Sequence, residues 1–144
     1  MSRRAAIVAE TRDWLGTPYR HQASAKGAGT DCLGLLRGVW RAVIGPEPVV
    51  PPPYSMDWDE PQGREVLLDA ALAHLLPAGP ELHAGQVLLF RMRDGGVAKH
   101  LGLVSATDPA PRFIHAYSGH GVVESALTLS WARRIAARFD FPER

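Results

Sequence analysis

The chain has a single cysteine, Cys32, among 144 residues. An internal disulfide is therefore excluded, and the fold needs no oxidising compartment. No run of about 18 apolar residues occurs, so no transmembrane helix and no membrane insertion are expected. Charge of one sign is also lacking. The 16 basic and 15 acidic residues leave a net charge of +1, which gives no strong steering toward nucleic acid. Lysine is scarce, and the arginines are scattered. The doublets Arg3-Arg4 and Arg133-Arg134 fall far short of a polybasic arm and read as solvated faces. An acidic and aromatic helix, not an apolar h-region, follows Arg3-Arg4, so no secretory signal is expected. What remains is a 46% hydrophobic chain of a length that fits one domain with one core.

The most informative stretch is Thr30-Asp31-Cys32-Leu33-Gly34-Leu35-Leu36. A turn-like run, Gly27-Ala28-Gly29-Thr30, gives way at Asp31 to an apolar-periodic segment. That places Cys32 in the first turn of a helix, where the partial positive charge of the N-terminus favours a thiolate. A thiolate is the nucleophile acyl transfer needs. The competing reading is a small buried hydrophobe. The helix-start position predicts an accessible thiol titrating below about 8.5, the free-cysteine value. Asp31 reads as the helix N-cap, its charge working slightly against the thiolate.

Two histidines give the cysteine partners. His100 opens His100-Leu101-Gly102-Leu103-Val104, and His115 lies in Phe113-Ile114-His115-Ala116-Tyr117. Both runs have a strand's composition, and the polar stretch between them reads as their connection. A cysteine followed by histidines on adjacent strands can supply a nucleophile, a base and an orienting group. In this reading Cys32 attacks, His100 carries the proton and His115 holds the His100 ring. The backbone N–H of Cys32 is one donor for a developing oxyanion. His120 reads as an exposed turn residue and Trp40 as core. Trp58 is placed where it could touch a substrate.

The rest of the chain sets an order of elements. Residues 3 to 15 read as a helix closed by Gly16 and Pro18, 19 to 30 as a loop, and 31 to 44 as the cysteine helix. A proline-rich stretch follows, then a helix over 64 to 76. Strands are expected over 85–90, 98–105, 112–117, 121–126 and 136–141, with a turn at Asp94-Gly95-Gly96. Helices first and an antiparallel sheet after them make an α+β fold.

Four motifs in this order resemble the NlpC-type cysteine peptidases, papain-like hydrolases of bacterial cell walls. They are Leu15-Gly16-Thr17-Pro18-Tyr19, Asp31-Cys32-Leu33-Gly34-Leu35, His100-Leu101-Gly102-Leu103-Val104, and His115 one hairpin later. The resemblance runs from about Ile7 to about Phe141. Tyr19-Arg20-His21-Gln22 and the run Cys32 to Trp40 look most like the branch carried by tailed phages and gene-transfer-agent particles. It implies one NlpC-type domain over 1–144, papain-like in plan, with the nucleophile on a helix N-terminus packed against the sheet. It also implies Tyr19 as a second oxyanion donor and cleavage of peptidoglycan stem peptides between a D-glutamyl residue and a diamino acid. Phage-like tail or hub proteins are the implied partners. The implied route is cytoplasmic synthesis and action at the periplasm or wall from a particle. The alternative is a tail-tip component that keeps the fold and only binds.

Two positions depart from the family pattern. Leu33 stands where many members have serine. A proline-rich insertion, Gly45 to about Gln62, separates the cysteine helix from the strands and reads as a strap beside the cleft, a docking segment or a plain connector. Cys32, His100 and His115 could also ligate zinc. The sequence lacks the paired C-x-x-C or H-E-x-x-H spacing that would support this, and no cofactor or metal is expected.

Overall fold

The computed structural model describes residues 1–55, 58 and 62–143. Part of the expected insertion, Met56, Asp57, Asp59, Glu60 and Pro61, lies outside the described residues. The expected α+β, papain-like order is borne out. Helix α1 (Arg3–Asp13) is capped by the Ser2 hydroxyl, and α2 (Cys32–Val43) by Asp31, whose carboxylate accepts from the Gly34 N–H at 2.7 Å. Between them the expected loop carries a short hairpin, β1 (Ser24–Ala25) with β2 (Gly29–Thr30).

Helix α3 (Val66–His74) is shorter than expected at both ends. At its start the Glu65 carboxylate caps no helix N–H, because it accepts from the Ala98 N–H at 2.9 Å and from Arg91. At its end Leu75 is already extended, two residues before a proline that cannot continue a helix. Leu76 and Pro77 then form β3 (Leu76–Pro77), an edge strand not anticipated from the sequence.

The remaining strands are β4 (Val87–Arg91), β5 (Ala98–Ala106), β6 (Arg112–Tyr117), β7 (Gly121–Ala126) and β8 (Ile135–Asp140), with a short helix α4 (Leu129–Ala132) before β8. They form an antiparallel sheet in the order β3-β8-β4-β5-β6-β7, so the last strand returns to lie between the first two. Alternation divides the sheet's side chains. Val87, Leu89, Leu101, Leu103 and Ile114 join the core with α1 and α2, while Leu88, Phe90, Val104 and Phe113 form a second cluster under Trp131 of α4.

Helix α2 sits unusually close to its neighbours. A Cβ on Gly38 would lie 2.0 Å from the Trp14 ring of the α1 C-terminus, and one on Gly34 would lie 1.9 Å from the Ala23 carbonyl oxygen. Gly102 does the same within the sheet, where a Cβ would meet Phe113 at 2.7 Å and the His115 Cβ at 3.3 Å. Gly38 and Gly34 let α2 lie against the end of α1 and the Ala23 segment, and Gly102 lets β5 lie close to β6. Among the described residues no helix is long and apolar enough to cross a membrane.

Candidate active site

Cys32, the first residue of α2, and His100, on β5, line one cavity of about 150 Å³. Tyr19, His21, Asp31, Tyr54 and Trp58 share it. A second, apolar cavity of about 110 Å³ between α2, α3 and the proline-rich segment contains neither Cys32 nor His100.

Backbone pairing places Tyr19. The Thr30 N–H donates to Pro18 O at 3.0 Å and the Arg20 N–H to Thr30 O at 2.9 Å, so the Tyr19 segment runs beside β2 and reaches the start of α2. Gly16 and Thr17 tie the same segment to Val122 of β7. Burial pushes the Tyr19 phenol up to about 12, and the neighbouring Cys32 and Asp31 add to that. At cleft pH the phenol is therefore a hydrogen-bond donor.

His115 stands behind His100, outside the cavity lining. His100 Nε2 and His115 Nδ1 are 2.8 Å apart, and His115 Nε2 is 2.9 Å from Ser125 Oγ. With Nε2 committed to His115, Nδ1 is the His100 nitrogen left for a proton from the cleft. The pair is packed among aromatic rings. Phe90 and Trp131 lie 5.9 and 5.8 Å from the His100 ring, and Phe113 and Trp131 lie 4.4 and 5.2 Å from the His115 ring.

The expected accessible, low-pKa thiol is not what the structure shows. Cys32 is 7% exposed, and its pKa is pushed up to about 12. Burial is the main cause and the Asp31 charge the next. Backbone groups of Leu101, Leu33 and Cys32 oppose them and are outweighed. The helix N-terminus is real, but its effect is small beside desolvation. An imidazolium that would stabilise a thiolate is also absent at rest. Burial pushes His100 down to about 3, with His115 adding, and His115 to about 4, with His120 adding. The resting pair is a neutral thiol and a neutral imidazole. Such a pair can still transfer a proton in concert with attack on a carbonyl.

The proline-rich insertion contributes Tyr54 and Trp58 to the cavity that Cys32 lines. The Tyr54 hydroxyl donates to Asp31 Oδ2, beside the cysteine, and the Tyr54 ring stacks on Trp58 at 4.3 Å and 11°. Tyr54 O accepts from Gln22 Nε2 at 2.7 Å and bonds His21 Nε2 at 2.8 Å. Trp58 is 6% exposed and belongs to the core. The same Oδ2 of Asp31 also accepts from the Gln22 N–H at 2.6 Å, while Oδ1 takes the Gly34 N–H. These contacts were not legible in the sequence, nor were Ser125 and Trp131. Ser125 had one weak signal: it lies two residues beyond Val123, the cross-strand partner of His115, and so on the same face.

The two buried histidines set an acid limit. The unfolded chain takes up protons near pH 6.5, whereas the folded one resists until about pH 4 and below. Between these values the unfolded state binds more protons, so stability falls as pH drops through the window. Partial burial raises Glu47, Glu65 and Glu124, but their hydrogen-bond and arginine partners outweigh it and leave them below 4.5, so the stability they lend is fully present above that pH and is lost only below it. Melting at pH 7 and pH 5 should show a lower Tm at pH 5, and a smaller drop in a His100→Gln, His115→Gln double variant. An equal drop would place the acid sensitivity elsewhere.

With this geometry in view, the likenesses to solved structures are informative. The NlpC/p60 domain of the peptidoglycan hydrolase SagA superposes with a TM-score of 0.61 at 22% identity, covering 96% of this chain and 98% of that one. The chain shares the NlpC/P60 fold. An NLP/P60 family protein from Staphylococcus aureus gives 0.63 at 17% identity, and an NlpC/P60 family protein from Bacillus cereus 0.66 at 16%. The chain is covered over 99% and 96% in these two, but spans only 42% and 40% of their lengths. No family model and no curated protein matches the chain.

Proposed function

We propose that this protein is a thiol endopeptidase of the NlpC/P60 type, one such domain over 1–144, acting on peptidoglycan stem peptides. The observation that carries this is the pairing of Cys32 and His100 in one cavity, with His100 Nε2 already bonded to His115. A structural component has no use for a buried, hydrogen-bonded histidine pair facing a lone thiol at a helix start. The fold supports the same class. SagA is a peptidoglycan hydrolase, and Ly7917, another structure of this fold with a TM-score of 0.57, was solved with the hydrolysing product of MDP.

In the proposed mechanism the substrate carbonyl lies against the start of α2. Cys32 Sγ attacks as its proton passes to His100 Nδ1. The Cys32 N–H and the Tyr19 hydroxyl receive the oxyanion. His100 then gives its proton to the leaving amine, and His115 keeps the ring oriented throughout. Cleavage at a D-glutamyl–diamino acid bond and action from a phage-like tail, with tail or hub proteins as partners, are the finer parts of this reading. They rest on the motif resemblance.

The test is incubation with purified muropeptides of defined stem length, read by mass spectrometry. One new amine and one new carboxylate at a single stem bond are expected, and an inert protein would favour the tail-tip binding role. The insertion is tested in the same assay by deleting Val49 to Asp59 and bridging with a short Gly-Ser segment. Because Tyr54 and Trp58 wall the cavity, the deletion should change stem preference or turnover. Unchanged hydrolysis and unchanged incorporation into particles would make the insertion a connector.

A further inference from the structure

His115 is the middle member of a chain of three groups, His100, His115 and Ser125, joined at 2.8 and 2.9 Å. It is 1% exposed and packed against Phe113 and Trp131. A neutral imidazole has one proton for two ring nitrogens, so the chain has two settings. In the first, His115 carries its proton on Nε2 and donates it to Ser125 Oγ. Its Nδ1 then accepts from His100 Nε2–H, and His100 Nδ1 is bare. In the second, Ser125 donates to His115 Nε2, His115 Nδ1–H donates to His100 Nε2, and His100 Nδ1 holds the proton. Only the first leaves a nitrogen able to take the thiol proton.

We propose that Ser125 is a positioning residue that fixes His115 in the Nε2–H tautomer and, through it, His100 in the form that can act as a base. This rests on the reading of His100 as the base for Cys32. The surroundings favour the direction. The His115 ring is enclosed by aromatic side chains, and among the described residues Ser125 Oγ is the partner of its Nε2, so without Ser125 an Nε2–H would be a buried donor that has lost its acceptor. Ser125 is only half-buried on β7, and water can accept its own hydroxyl proton. The proton count closes. When Sγ passes its proton to His100 Nδ1, His100 becomes an imidazolium whose Nε2–H stays bonded to the lone pair on His115 Nδ1. No proton leaves the pair until the amine departs.

The decisive measurement is ¹⁵N NMR of the imidazole rings in the parent protein at pH 7, which needs no substrate. His115 is expected to be protonated on Nε2. In Ser125→Ala its population should move toward Nδ1–H, whereas Ser125→Thr, which keeps a hydroxyl, should hold Nε2–H. In hydrolysis, Ser125→Ala should lose about tenfold in kcat with KM unchanged, the size of one net hydrogen bond, and Ser125→Thr should recover most of it. An Nδ1–H His115 in the parent overturns the proposal even if a variant fails to fold. So does a Ser125→Ala protein with an unchanged tautomer, whatever its kcat. If the tautomers behave as expected while the parent cleaves no muropeptide, the Ser125 role stands and the substrate reading fails.

Discussion

Replacing His100 by alanine is expected to abolish muropeptide hydrolysis, while His115→Ala leaves a measurable fraction. His100 is the proton carrier in both halves of the proposed reaction, and positioned proton transfer contributes about 10²–10⁴-fold. His115 touches only the far nitrogen of His100, at 2.8 Å, so its removal frees the ring without removing the base. Both variants should fold. Removing either ring leaves a cavity among Phe90, Phe113 and Trp131, but it also removes a buried group that resists protonation, so the loss of stability should be largest at neutral pH and smaller in acid. A His100→Ala protein that hydrolyses muropeptides like the parent would rule out the mechanism. Equal losses in the two variants would make His115 more than an orienting group.

The thiol itself should be slow to alkylate. A shift from 9.0 to about 12 leaves roughly a thousandfold less thiolate at neutral pH than an ordinary cysteine has, since each pKa unit is a factor of ten. Iodoacetamide labelling of the native protein should therefore lag far behind labelling of the denatured chain, with no midpoint below about pH 9. Asp31→Asn, which removes the nearby negative charge, should move the labelling curve toward lower pH. The Tyr54–Asp31 bond would be lost with it, so Tyr54→Phe is the control that loses the bond and keeps the charge. Rapid native labelling with a midpoint below 8.5 would restore the accessible-thiolate reading.

The residues that were legible in the sequence are those whose signal is local. Asp31 precedes an apolar-periodic run, and it caps α2 as expected. His100 and His115 lie in short β-like runs with a polar connection, and they fall on neighbouring strands. What could not be read depends on partners far along the chain. Tyr54 and Trp58 line the cavity with Cys32, and no periodicity links them to Asp31. The edge strand β3 exists because β8 pairs with it some sixty residues later, a contact unmarked in either segment. Glu65 looked like a residue inside a helix, whereas Arg91 and the Ala98 N–H claim its carboxylate. The motif marks the N-terminus of α2, but it carries no sign of the burial that outweighs that terminus at Cys32.

Gly34 and Gly38 reverse the usual advice for making a helix more robust. In an open helix, exchanging glycine for alanine gains up to about 1 kcal/mol through propensity. Here the added methyl groups would land 1.9 Å from the Ala23 carbonyl and 2.0 Å from the Trp14 ring. The helix would have to back away, carrying Cys32 at its first residue out of register with β5. A thermostabilising library that enriches helix formers across α2 would therefore select against the chemistry at the end of that helix. Sequence optimisation of this scaffold has to leave both glycines alone and look for its gains in α1 or α3.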